Sequence, residues 1–213
     1  MRNNLFLCVL KLNCMLDEIR NLFLHEAQAI MNIPVTEAFI KALDAIHHSV
    51  HCNGGKVVVS GMGKAGQIAL SIATTFSSTG TPAVWLHTSD AQHGDLGVIC
   101  KNDILLLVSN SGKTREIIEL VVLAKKLWAH IPIIVITGNP DGKLARLADV
   151  CIDTGNPAEV CPLGLSPTTS TTVMSAIGDA LVVQMMKRIG FSKTDYARRH
   201  HGGYLGQKSR GEI

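Results

Sequence analysis

Aromatic residues are scarce in this chain of 213 residues, where two Trp, two Tyr and five Phe make up 4% of the sequence. With few platforms for bases, and with 20 Lys+Arg set against 17 Asp+Glu, there is no basic stripe to follow a phosphate backbone. Nucleic acid is therefore not an expected partner. Paired cysteines are missing as well. Cys8, Cys14, Cys52, Cys100, Cys151 and Cys161 are irregularly spaced and form no C-x-x-C motif, which predicts reduced thiols, no disulfide framework and no zinc site. No apolar run approaches the roughly 18 residues that span a bilayer. The opening "LFLCVL" is broken by Lys11 and Asn13, with no small-residue cleavage site after it, so neither a membrane span nor a signal peptide is expected and a cytoplasmic location is.

What the chain does have is apolar content, 46%, at a net charge of +3, enough to bury one full core. Residues 17 to 52 carry apolar positions at helical spacing (Ile19, Leu22, Phe23, Ala27, Ile30, then Phe39, Leu43, Ile46, Val50) with Pro34 at the break, which predicts a helical hairpin. From Gly54 the pattern changes to the short apolar segments "KVVVSG", "PAVWLH", "DILLLVS", "PIIVIT" and "DVCID", each ending in a polar or glycine turn. Strands this apolar are covered on both faces, so the fold class expected is α/β with a parallel sheet between helix layers. Pro167 to Ile189 reads as the closing helix, with Met174, Ile177, Leu181 and Met185 as its buried stripe and Thr172, Ser175 and Ala176 allowing close packing. Its methionines read as core rather than as a cofactor face. The chain divides into residues 1–53, a helical segment packing on the domain; 54–190, the core; and 191–213, a short polar tail.

In an open parallel sheet ligands sit beyond the carboxyl ends of the strands. Three turns there are unusual. "SGMGKAG" (Ser60 to Gly66) satisfies G-x-G-x-x-G, but "AVWLHTSD" ends at His87 and Thr88 where a dinucleotide site needs an acidic residue. What remains is a close backbone approach at Ser60, Gly61 and Gly63, with Lys64 as a point charge at a helix start. "VSNSGKTRE" resembles a P-loop but carries Leu107 at the position of its first glycine. Ser109, Asn110, Ser111 and Thr114 instead suit a single phosphate monoester at a helix N-terminus, the alternative being that the hydroxyls only cap that helix. The third turn, "NPAEVCPLGLSPTTSTT", places Glu159 before a run of hydroxyls that either lines a sugar or caps the long helix. On the N-terminal helix, His47 and His51 have i, i+4 spacing, read as a solvated or interfacial face rather than a metal site.

With these turns in hand the sequence resembles the sugar isomerase (SIS) domain, and within it the arabinose 5-phosphate isomerases. "GKVVVSGMGKAGQIA", "AQHGDLG", "SNSGKTREI", "EVCPLGLSPTTSTT", "GDAL" and "RHHGGYLG" are similar to that family's signatures in the same order, over about residues 54 to 206. The resemblance implies a three-layer α/β/α sandwich with a five-stranded parallel sheet, flavodoxin-like, assembling as a homotetramer with shared active sites. It also implies interconversion of D-ribulose 5-phosphate and D-arabinose 5-phosphate, the entry to 3-deoxy-D-manno-octulosonate (Kdo) for lipopolysaccharide or capsule. The family's catalytic positions fall on Lys64, Glu116, Glu159 and His200, and His93 in "HGDLG" lies on a further matching segment, read as positioning substrate hydroxyls or closing a subunit contact. Lys113 stands where an acidic residue is expected, and His201 where the family has proline. The CBS pair that many members carry after this domain is not expected.

Such an isomerase needs a base that moves a proton between C1 and C2 and a group that handles charge on O1 and O2, with no metal or redox cofactor. Glu159 reads as the carbon base, with its pKa expected to rise toward neutrality through shielding at a strand end. His200 reads as the proton shuttle and Lys64 as the stabiliser of the enediolate. Glu116, in the first turn of its helix, stands between a catalytic role and a helix-dipole role. Two other readings stand beside this one: a non-catalytic SIS sensor of a sugar phosphate, and an isomerase of another phosphosugar.

Overall fold

The computed structural model describes the backbone from residue 2 to residue 213 and the side chains from residue 14. Cys8 and the "LFLCVL" segment thus lie outside the described side chains. The chain opens with a long helix, α1 (Arg2–Met31), and a shorter one, α2 (Glu37–Ile46), whose N-cap Thr36 accepts the amide of Ala38 at 3.3 Å. The break contains Pro34, which lacks the amide a continuous helix needs. A π-helical turn, His47–Cys52, leads into the sheet.

Five parallel strands follow: β1 (Val57–Gly61), β2 (Ala83–His87), β3 (Ile104–Val108), β4 (Ile133–Thr137) and β5 (Val150–Asp153), in the order β2-β1-β3-β4-β5. β1, β3 and β4 are buried along their whole length, which is why they read as unbroken apolar runs. The period of two nevertheless sorts their side chains. Val57, Val59, Leu106 and Ile134 face the layer of α2, α3 (Gly63–Ser78) and α7 (Thr169–Arg188). Val58, Leu105, Leu107 and Val135 face α5 (Arg115–Leu127) and the short helices α4 (Thr88–Ala91) and α6 (Lys143–Leu147). Three layers result, α/β/α.

The long closing helix starts at Thr169, two residues later than Pro167, and buries Met174, Ile177, Leu181 and Met185. Its close approach to α3 is made by Gly178, while Thr172, Ser175 and Ala176 are half-buried and the Thr172 hydroxyl donates to Glu26 Oε2 of α1 at 3.1 Å. A β-carbon at 178 would sit 2.5 Å from Ile72 Cγ1, so the glycine exists to let the two helices touch. The chain ends in two short helices, α8 (Lys193–Arg199) and α9 (Gly203–Arg210), packed on each other.

Candidate active site

The order of the strands places the site. From β1 the chain crosses by α3 to β2 on one side, and β3 begins the walk to the other side, so the order reverses between β1 and β3. Helices diverge at such a point and leave a crevice at the carboxyl end. A cleft of about 240 Å³ lies there, bounded by Met62 and Lys64 after β1, Ser109 to Ser111 and Thr114 after β3, Pro167 before α7, and Ser170 and Thr171 in its first turn. Ile117 and Met174 form its apolar floor. All three unusual turns therefore meet, and with them the N-termini of α3, α5 and α7.

Those N-termini differ in what they have left to offer. Among the described residues no side chain accepts the first-turn amides of α3 or α5, which remain available for an anion. The hydroxyls of the "SNSGKT" turn are not the caps of α5. Ser109 is buried with its hydroxyl 3.5 Å from that of Thr114, and Ser111 Oγ accepts the amide of Lys113 at 3.2 Å. Gly112, at φ 61°, makes the tight bend that turns these groups toward one centre. Asn110 lies beside them with its carboxamide oxygen buried and without a hydrogen-bond partner among the described residues. Lys64, exposed at the start of α3, has no ion-pair partner among the described residues and faces the same space. A phosphate-sized dianion is what this arrangement can hold.

The first-turn glycines serve the backbone. Gly61 and Gly66 abut, since a β-carbon on Gly66 would fall 2.8 Å from the Gly61 carbonyl oxygen, and Gly63 has φ 60°. Ser60 is fully buried and its hydroxyl donates to the Leu86 carbonyl at 2.5 Å, so it ties β1 to β2 rather than facing the cleft.

At α7 the amides are taken. Glu159 Oε2 accepts from Thr168 N at 2.7 Å, from the Thr168 hydroxyl at 2.9 Å and from Ser170 N at 3.2 Å, while Oε1 takes no part in these bonds. This overturns the expectation that shielding raises its pKa. Burial does act upward, but the hydrogen bonds from Ser170 and Thr168 outweigh it and hold the carboxyl below its ordinary range. The hydroxyl run thus splits its duties: Thr168 binds Glu159, Thr169 accepts the Val160 amide, and Ser170 and Thr171 reach the cleft wall. Beside it the Cys161 thiol is lowered to about 6 by the backbone amides of Ser166, Leu165 and Leu163 and the Ser166 hydroxyl.

Neither Glu159 nor the remaining expected side chains line this cleft in the single chain. Glu116 is half-buried in the first turn of α5. His93 is exposed on the turn after α4, its amide bonded to the Asp90 carbonyl at 2.8 Å. His200 lies in the tail, whose side-chain hydrogen bonds, among the described residues, are all internal to residues 192–213. His201 is exposed at the start of the α8–α9 turn. Lys113 points outward to a surface shared with Arg115 and Lys143, not into the cleft. His47 and His51 have ring centroids 5.6 Å apart, with His51 Nε2 3.2 Å from the Thr81 hydroxyl; burial, then His47, depress His51. Among the described residues no three His, Cys, Asp or Glu side chains converge as a metal site. Sequence reasoning did not single out Met62, Ile117 and Pro167, because a cleft's apolar walls look like core until the helices are placed.

Known proteins resemble this chain in sequence and in fold. The model of the SIS domain family matches residues 50–184. Arabinose 5-phosphate isomerase KdsD of Shigella flexneri is 49% identical over 154 residues, which are 72% of this chain and 46% of that protein. The chain spans about half the length of such relatives, 58% in the Pseudomonas aeruginosa one. A solved structure from Bacteroides fragilis, described as a candidate phosphosugar isomerase involved in capsule formation, is 62% identical at a TM-score of 0.88, over 89% of this chain and 99% of that one. The c3406 protein of Escherichia coli CFT073, solved in complex with arabinose 5-phosphate, is 32% identical at a TM-score of 0.81, over 88% of this chain and 98% of that one. Matched in sequence across the sheet and its turns, and in backbone over nearly nine-tenths of its length, the chain belongs to the SIS domain family, alongside the arabinose 5-phosphate isomerases.

Proposed function

We infer that this protein is an aldose–ketose isomerase interconverting D-ribulose 5-phosphate and D-arabinose 5-phosphate, supplying Kdo synthesis for lipopolysaccharide or capsule from the cytoplasm. The observation that carries this reading is the meeting of the uncapped "SNSGKT" turn, Lys64 and the α7 hydroxyls in one cleft at the switch point. The 5-phosphate binds at the α5 N-terminus, and that remote binding energy holds C1 and C2 near the wall formed by α7. Glu159, anchored through Oε2, takes a proton from C1 of the ketose with its unengaged Oε1. The electron pair forms the C1–C2 double bond of an enediol, and the C2 carbonyl becomes a hydroxyl. Return of a proton to C2 and loss of the O1 proton complete the aldose, with no net oxidation. Lys64 offsets the negative charge on the enediolate oxygen, and His200 carries the proton between O1 and O2. Glu116 and His93 hold substrate hydroxyls.

A homotetramer with shared sites accounts for the tail and for α1. A His200 held in a self-contained tail serves a cleft formed with another copy, and α1 shows Met15, Leu16, Ile19, Leu22, Phe23 and Ile30 on its exposed surface.

The decisive experiment is proton NMR of the protein with D-ribulose 5-phosphate in deuterated water. Arabinose 5-phosphate carrying deuterium at C2 is the expected product. If protein that binds the sugar phosphate gives neither product nor exchange, the isomerase reading fails and the sensor reading takes its place.

A further inference from the structure

The tail that carries His200 is built more firmly than a short polar segment needs to be. α8 has seven residues, too few to be stable as an isolated helix. A capping box closes its start, with Asp195 N donating to Ser192 Oγ at 3.1 Å and Ser192 N to Asp195 Oδ2 at 3.0 Å. The Arg199 guanidinium lies 5.3 Å from the centre of the Phe191 ring. Arg210, reaching back from α9, donates to the His200 carbonyl at 3.2 Å. Gly206 packs against that same carbonyl, where any β-carbon would collide.

Within this frame the imidazole of His200 is held twice by one residue. Tyr196 is four positions earlier, the spacing that stacks side chains on a helix face. Its ring lies parallel to the imidazole at 3.7 Å between centroids, with 6° between the planes. Its backbone carbonyl is 3.0 Å from His200 Nδ1 and also accepts the His200 amide at 3.1 Å. A carbonyl oxygen has two lone pairs and cannot donate, so the hydrogen must reside on Nδ1. Nε2 is then the nitrogen with a free lone pair in the neutral ring, and the stack sets the plane in which it points.

We propose that Tyr196 is a positioning residue for His200: its ring orients the imidazole and thereby secures the Nδ1–H bond to its own carbonyl, leaving Nε2 as the nitrogen that accepts and returns the proton. This rests on the isomerase reading for its consequence, but its first half is independent of any activity. Loss of the ring frees the imidazole to rotate away from the carbonyl, and the hydrogen is no longer held on Nδ1.

The test joins nitrogen-15 NMR of the neutral imidazole, at pH about 8.5, with kinetics on D-ribulose 5-phosphate for the full chain and its Tyr196→Phe and Tyr196→Leu variants. Tyr196→Phe keeps the stack and is expected to retain both the Nδ1–H tautomer and the turnover of the parent protein. Tyr196→Leu is expected to lose Nδ1–H and to drop about tenfold in kcat with KM changed by less than about twofold. An Nε2–H tautomer in the unmodified protein overturns the proposal, whatever the variants do and even if Tyr196→Leu does not fold. So does a Tyr196→Leu variant whose tautomer or kcat is that of the parent. An unmodified protein with the Nδ1–H tautomer but no turnover instead sinks the isomerase reading.

Discussion

Glu159 shows how one side chain's environment decides its chemistry. A carboxylate that accepts two amides and a hydroxyl through a single oxygen is both the N-terminal cap of α7 and the proposed carbon base. Its pKa is lowered, so the carboxylate is ionised at neutral pH and ready to accept a proton without prior deprotonation. The stability consequence follows from the sign of the shift. Because the folded value lies below the unfolded one, about 4.3 for Glu, the stabilisation is complete above that value and is lost as the pH falls through the folded value. Glu159→Gln is therefore expected to cut kcat by about a thousandfold or more while phosphate-ester affinity is largely kept, and to flatten the loss of melting temperature below pH 4.5. Calorimetry across the acid range, run beside the kinetics, separates the two roles: an unchanged acid limb in the variant would mean that another carboxylate caps α7.

Among the elements, α7 links the core to the site. Its first turn lines the cleft and its middle packs on α3, which carries Lys64, so the α3–α7 contact sets how wide the cleft is. Gly178 is the point of closest approach. A glycine inside a helix costs about 1 kcal/mol in propensity against alanine, and the neighbouring Ile72, which is 4% exposed, leaves no room for a larger residue to recover it. Gly178→Val is expected to lower stability by about 2–3 kcal/mol through overpacking, read by urea unfolding, and to weaken substrate binding as α3 is pushed away. A variant as stable as the parent would show that the two helices can separate without strain.

For the whole molecule, α1 bears on assembly. α1 is 30 residues long and its described part buries little besides Ala29, while Phe23 is 69% and Leu22 44% exposed. An amphipathic helix turns such a stripe toward an apolar partner. A second copy is the partner proposed, and it would bring another chain's residues near each cleft. Paired substitution Leu22→Asp and Phe23→Lys is then expected to reduce the oligomer seen in sedimentation velocity and to lower kcat, with the fold of the sheet intact by circular dichroism. Unchanged sedimentation would remove α1 from the interface.

Much of this was legible in the chain itself. Five apolar runs ending in polar turns dictate a parallel sheet covered on both faces, because strands without an exposed face must lie between two layers. The dense serine, asparagine and threonine turn after the third run suggests the phosphate-sized anion site proposed here, because backbone amides and short hydroxyls are what such an anion needs. Only the tertiary structure could decide which turns share one cleft, since that depends on the strand order reversing between β1 and β3. It also decided that Ser60 bonds Leu86 rather than facing ligand, that Glu159 is lowered rather than raised, and that Gly178 makes the contact with α3. Each of these depends on neighbours distant in sequence or on the paths of whole elements, and a hydrogen bond or a 2.5 Å approach to Ile72 exists only once both partners have been brought together.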